Sequence, residues 1–210
     1  MCWNSAVSLN TFAFSAFVLA LVIYNNTYTK YKIAGLNSIG SYLFIASFIF
    51  MQLIEYFIWI NLNNRSYNTA LSASAIILLM LQPLASIMII TNKHLRNKLA
   101  ICYIALALPY TLYNMHIKRS YSQVSKKGHL DWEFFNASPI AIAVWFFFFL
   151  FSFVYEKKYM LLLFGLSLLA ISFTNYLTDK SMWSMWCWSV NSIMLYYAFI
   201  LLFYLPFITL

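Results

Sequence analysis

The sequence predicts an all-α polytopic membrane protein, a bundle of seven transmembrane helices forming one domain over residues 1–210. Three observations carry that prediction. The chain is 63% hydrophobic and only 9% charged, against about 25% charged in an average soluble domain. A single soluble core could not hide that much apolar surface, whereas a bilayer acts as the apolar solvent. The apolar residues also come in seven continuous runs, most of them near the ~20 residues that cross ~30 Å of hydrocarbon. Finally, Trp and Tyr gather toward the ends of those runs, where amphipathic rings suit the headgroup region.

The runs follow in order. The first extends from Ala6 to Tyr24 and stops at Asn25-Asn26; the second extends from Ile39 to Ile60 and stops at Asn61. The third covers Thr69 to Thr91 and contains Gln82-Pro83. The fourth, Leu99 to Tyr113 with Pro109 inside it, is the weakest and needs tilt or local thinning to span. The fifth, sixth and seventh are Pro139 to Tyr155, Tyr159 to Leu177 and Ser184 to Pro206. None alternates with period 2, so membrane β-strands are not a competing reading. No basic leader precedes the first run, which is expected to stay as a signal anchor. The long segment from His116 to Asn136 has room for a surface helix or an ordered cap.

The net charge of +8 would suggest nucleic acid in a soluble protein. Here the basic residues lie between the runs, so topology and lipid headgroups explain them and no nucleic acid partner is expected. Lys30, Lys32, Lys93, Arg96, Lys98, Lys157 and Lys158 fall on one face. Arg65, Lys118, Arg119, Lys126, Lys127 and Lys180 fall on the other, partly offset by Asp131 and Glu133. The positive-inside rule makes the first face cytoplasmic and puts the amino terminus outside. The expected partners are the bilayer, a small solute or ion, and a second copy of the chain in a homo-oligomer. On the outer face Asn64-Arg65-Ser66 and Asn136-Ala137-Ser138 are glycosylation sequons.

Glu55 is the only acid inside a spanning run. A charge at mid-membrane costs on the order of 2.5–3.5 kcal/mol, so Glu55 must face the bundle interior. Gln52, Glu55 and Trp59 fall at i, i+3 and i+7, one face of one helix. They form either a packing staple or a proton or cation site. Pro83 removes a backbone hydrogen bond and frees a carbonyl, which together with the Gln82 amide could line a cavity. Kinks of this kind also occur with no ligand.

Two stretches echo each other: Cys2-Trp3-Asn4-Ser5 and Cys187-Trp188-Ser189-Val190-Asn191. With seven passes both open helices on one face, which also holds the end of the second helix and the long loop with His116 and His129. Cys2, Glu55, His129 and Cys187 thus fall in one leaflet. Separate packing roles, a Cys2–Cys187 disulfide, or a metal or reactive-thiol site would each account for them. No Cys-x-x-Cys or His-x-x-x-His spacing backs the metal reading, and no cofactor is indicated. Cys102 reads as a small buried hydrophobe. The seventh run lacks a lysine for a retinal Schiff base. Phosphate loops, nucleophile elbows, zinc-protease signatures and an Arg-rich voltage sensor are all missing from the sequence.

The opening Met1-Cys2-Trp3 with Ser5 and Ser8, the Gln52-x-x-Glu55-x-x-x-Trp59 stripe and Trp186-Cys187-Trp188 resemble an uncharacterised multi-pass membrane protein family of bacteria and large DNA viruses. Its members begin Met-Cys-Phe/Trp-Ser and carry the Gln/Glu pair in the second helix. The resemblance covers both ends and the second helix. It implies a seven-helix topology and a set of candidate residues, but no activity. Related sequences often have His where Gln82 stands, which weakens a His-based metal site here. The AT-rich residue bias, heavy in Lys, Asn, Ile, Tyr and Phe, favours the viral branch. Three functions follow as expectations: a transporter or channel-like protein using an intramembrane carboxylate, a membrane-embedded enzyme or metal-binding protein using the Cys/Glu/His cluster, and a viral membrane scaffold.

Overall fold

A computed structural model of the chain describes residues 4–30, 32–33, 35–117, 121–133 and 137–208. Six helices lead the chain: α1 (Ser5–Tyr28), α2 (Ile39–Ile60), α3 (Arg65–Ile87), α4 (Lys93–Ile117), α5 (Pro139–Tyr155) and α6 (Tyr159–Tyr176). A last rod is built end to end from α7 (Met182–Val190), α8 (Ile193–Phe199), a π-helical turn (Ile200–Tyr204) and α9 (Leu205–Ile208). Between α4 and α5 lies a hairpin of β1 (Gln123–Val124) and β2 (Leu130–Asp131), antiparallel, with Gln123 opposite Asp131 and Val124 opposite Leu130. The chain is therefore an all-α bundle of polytopic type.

The polar punctuation between runs works as helix caps. Side chains of Asn4, Ser38, Asn64 and Ser138 accept the backbone N–H three residues on, at 2.9, 3.2, 3.4 and 3.3 Å. Asn92 does the same for Leu95 at 3.1 Å. Each satisfies one of the orphan donors that a helix start exposes.

Among the described residues, five helical units are long and apolar enough to cross a membrane: α1, α2, α3, α6 and the Met182–Phe207 rod. Of the other two, α5 is strongly apolar but has 17 residues. The fourth helix, expected to be short, is 25 residues long, but it remains the weakest span and is not among these five. At about 1.5 Å per residue it reaches about 37 Å. The reason is the Asn92 cap. It starts the helix at Lys93, so Lys93, Arg96 and Lys98 ride on its first turns, where long basic side chains reach back toward water.

A second correction concerns Asn26, expected to end the first helix. α1 runs on to Tyr28, and the Asn26 side chain turns into a clamp. Its amide donates to the Leu36 carbonyl and, at 2.9 Å, to the Tyr42 hydroxyl, while its oxygen accepts the Ile33 N–H at 2.8 Å. Lys32 Nζ donates to the Asn26 carbonyl. Lys158 reaches the same loop and donates to Gly35 O and Ser41 Oγ, both at 3.1 Å. Burial pushes the Lys158 ammonium below its ordinary pKa, and the nearby Glu156 works the other way.

Helices α2 and α3 sit at the centre. α2 packs on α1, α3 and α7; α3 packs on α2, α4 and α5. The α2–α3 contact is close at Gly40, where any Cβ would lie 2.3 Å from the Met88 carbonyl oxygen. The main core forms where α2, α5 and α7 meet, around Phe44, Phe48, Trp145, Phe149, Phe153 and Trp186. Trp145 stacks on Phe149 at 4.6 Å and Phe48 meets Trp186 edge-on at 6.0 Å. By contrast α6 buries only Ser172 among its residues. Leu163 stands 64% exposed on α6, Ile101 69% on α4 and Phe17 63% on α1. Large apolar side chains presented outward from the helices are what a lipid-facing surface requires. Cys102, expected to be buried, is exposed on α4: in a bilayer a small apolar thiol can face lipid as readily as protein.

Candidate functional site

The hairpin docks on the end of the bundle where α2 finishes and α3 begins. Asn68 of α3 donates to Ser122 O and accepts from Ser122 N–H, both at 2.9 Å, and Ser72 Oγ meets Ser122 Oγ at 3.0 Å. From the other side Asp179, in the turn after α6, accepts from Ser125 Oγ at 2.6 Å, Ser181 Oγ at 2.7 Å and Lys127 N–H at 3.1 Å. Gly128, with φ of +79°, supplies the hairpin's turn. Leu130 and Trp132 are buried into the main core, and Ser184 of α7 donates to Leu130 O at 2.7 Å. The expected cap is therefore ordered, and it is a hairpin, not a helix.

His129 is buried in this cap, edge-on to Tyr176 at 5.2 Å. Burial pushes its pKa below the ordinary imidazole value, with the Asp179 charge acting the other way. Burial likewise raises Asp131 above the usual carboxylate range, opposed by the hydrogen bond from Gln123. For Asp179 burial also raises, but hydrogen bonds from Ser125, Ser181 and the Lys127 N–H outweigh it and hold the carboxyl low.

Beneath the cap lies a polar stripe on α2. Gln52 and Glu55 are both fully buried, which bears out their expected inward orientation. Trp59 continues the stripe, and its indole N–H is buried without a hydrogen-bond partner. On α3, Gln82 is fully buried. On α7, Cys187 is buried beside it: the Gln82 amide meets the thiol in a weak contact, and the Glu55 carboxylate is close enough to act on that thiol electrostatically. Neither Gln82 Nε2 nor Gln82 Oε1 forms a conventional hydrogen bond, and the same holds for both amide atoms of Gln52. Serines of α1, Ser8 and Ser15, are buried with unpartnered hydroxyls as well.

Asn191 is the residue that sequence reasoning left out of the site. It caps the end of α7, one turn beyond Cys187. Its amide donates to Cys187 O at 2.9 Å and across the interface to Phe48 O at 3.3 Å, while its Oδ1 is buried and unpartnered. The signal was its i+4 spacing from Cys187 and its place inside an apolar run. Cys187 precedes Asn191, and Gln52 follows Phe48, by four residues each, about 6 Å along either helix. Residues from α2, α3 and α7 thus share one interior seam.

The proline kink resolves differently from the cavity expectation. Pro83 leaves the Leu79 carbonyl without its helical donor. Trp145 of α5 fills that role, its indole N–H donating to Leu79 O at 2.9 Å. Tyr103 of α4 donates to the neighbouring Met80 O, also at 2.9 Å. The freed carbonyl fixes α5 to α3, and only the Gln82 amide faces the seam.

Of the four residues expected in one leaflet, Glu55 and Cys187 come together and His129 is held in the cap. Cys2 lies outside the described residues, and so does the question of a Cys2–Cys187 bridge. Among the described residues no three His, Cys, Asp or Glu side chains gather as a metal site. Comparison with known protein families, with curated proteins and with solved structures finds no match.

Proposed function

We propose that the chain is a seven-pass membrane protein of the transporter or channel-like class, moving a small solute or ions by means of Glu55. The reading is carried by one observation: a carboxylate with no solvent exposure sits in an apolar bundle, one helical turn from the buried Gln52 amide. Intramembrane acids are costly and mark ion and proton pathways, which makes such a residue a functional candidate by default. In this reading Gln52 and Gln82 orient the ion, and α4 and α5 cross the bilayer with the five longer units. The hairpin faces outward, following the Lys and Arg placement.

The test is flux in liposomes reconstituted with the full chain. Glu55→Gln keeps size and hydrogen-bonding capacity while removing the charge, so a flux carried by Glu55 should fall at least tenfold. A flux equal to that of the unaltered protein removes Glu55 from the mechanism. The rival enzyme reading needs a reactive thiol at Cys187, which the structure places in the same seam; turnover lost in Cys187→Ser with flux intact would favour it. A scaffold in a viral membrane would show neither.

A further inference from the structure

We infer that the cavity between α4 and α5 binds one acyl chain of a bilayer lipid, taken from the leaflet on the hairpin's side. The site takes no part in the Glu55 reading and depends only on α4 and α5 crossing the bilayer, as proposed above. Two rungs frame it. At the mouth, the Ser138 N–H donates to the Tyr110 hydroxyl at 3.1 Å and ties the start of α5 to α4. At the floor, Tyr103 of α4 and Trp145 of α5 donate to Met80 O and Leu79 O of α3, each at 2.9 Å. On α4 the rungs are Tyr110 and Tyr103, and on α5 Ser138 and Trp145, so about 10 Å of helix rise separates them on either side. Between the rungs Ala107 and Ala141 face the gap with side chains too small to close it, and a cavity of about 230 Å³ results.

The lining selects the occupant. An ordered water needs roughly two to four polar partners. The hydroxyls of Tyr110 and Ser138 stand at the mouth, while the Tyr103 hydroxyl and the Trp145 indole are committed to α3. An apolar cavity of about 150 Å³ already stays dry and takes up benzene. Leaving a larger one unfilled forfeits the dispersion contacts of its walls. The fitting guest is thus apolar along its length with a polar end at the mouth. The opening decides where that guest comes from. Leu106 and Ile140 line the cavity and are exposed, so it opens on the lipid-facing surface of the bundle. Its mouth lies level with the start of α5 and its floor about 10 Å deeper, within the ~15 Å of hydrocarbon in one leaflet. An acyl chain has that polarity and lies at that depth.

The test reconstitutes the full chain in phosphatidylcholine vesicles that contain a phosphatidylcholine with a diazirine midway along one acyl chain. After illumination, mass spectrometry should find adducts on the cavity-lining Tyr103, Ala107 and Val144. It should also find them on outward residues that any surrounding lipid reaches, such as Leu163 of α6 and Ile101 and Leu108 of α4. When excess unlabelled phosphatidylcholine is added before illumination, the cavity adducts should outlast the outward ones. Ala141→Phe fills the cavity and should remove most of the cavity adducts while sparing those on Leu163. Should that variant fail to fold, the exchange experiment on the unaltered protein decides. Cavity adducts that exchange as fast as those on Leu163, or that persist in a folded Ala141→Phe protein, overturn the site and leave α4 and α5 as spans. Adducts on Leu163 but none on Ile101 or Leu108 overturn the placing of α4 in the bilayer, and the site with it.

Discussion

Trp145 and Pro83 form a testable pair. Pro83 has no N–H, so the Leu79 carbonyl depends on the Trp145 indole, 2.9 Å away on another helix. Trp145→Phe removes that donor. Interhelical hydrogen bonds in membranes average about 0.6 kcal/mol and reach about 1.7. This one belongs near the top, because the carbonyl it leaves has no helical donor and an unsatisfied buried acceptor costs about 1–3 kcal/mol. The change also trims the ring stacked on Phe149 at 4.6 Å, adding about 1–2 kcal/mol of lost packing. The single variant should therefore lose about 2–5 kcal/mol. In Pro83→Ala the new Ala N–H can take the Leu79 carbonyl back into the helix. The packing loss remains there, but the acceptor is no longer orphaned. Trp145→Phe should then cost about 1–2 kcal/mol less, a coupling that a double-mutant cycle isolates. Reversible unfolding in mixed micelles, followed by helical ellipticity, measures all four proteins. A coupling below about 0.5 kcal/mol, or of opposite sign, would falsify the claim that Trp145 replaces the missing helical donor.

Two further predictions concern the hairpin. His129 is held below its ordinary value of 6.5, so its contribution is fully present above that pH and is lost as pH falls through the lowered value. Asp179 is also held low, and its contribution goes at still more acid pH; Asp131, raised by burial, runs the opposite way. Hydrogen exchange across residues 121–133 should show weaker protection at about pH 5.5 than at about pH 7.5, and His129→Gln should flatten the difference; equal protection in the parent protein would refute the role given to His129. For the orientation, with Cys2, Cys102 and Cys187 replaced by Ser, an impermeant maleimide should label Lys127→Cys in intact cells and Lys157→Cys only after permeabilisation. The reverse pattern would turn the bundle over.

Much of the fold was legible because helix formation in a bilayer is local. Each span closes its own backbone hydrogen bonds, so continuous apolarity with Asn or Ser close before it locates α1, α2 and α5, whereas α3, expected over Thr69–Thr91, runs from Arg65 to Ile87 because the Asn64 cap starts it four residues earlier. The inward orientation of Glu55 was equally legible, since no other placement of a charge is tolerable. The errors came where a polar residue served the interior and not a boundary. Asn26 looked like a stop and proved a clamp, and the basic start of α4 looked like a loop.

The sequence by itself determined the membrane class, the approximate places of the helices and the Gln52–Glu55–Trp59 stripe, because those follow from solvent and from helical period. Only the tertiary structure decided that Gln82 and Cys187 meet, that Asn191 joins α7 to Phe48, that Trp145 serves the carbonyl freed by Pro83, and that Cys102 faces outward. The physical reason is that lipid and protein core are equally apolar. Hydropathy gives no contrast between a side chain facing a neighbour helix and one facing the bilayer, so partners 60 or more residues apart, such as Leu79 and Trp145, are chosen by packing alone.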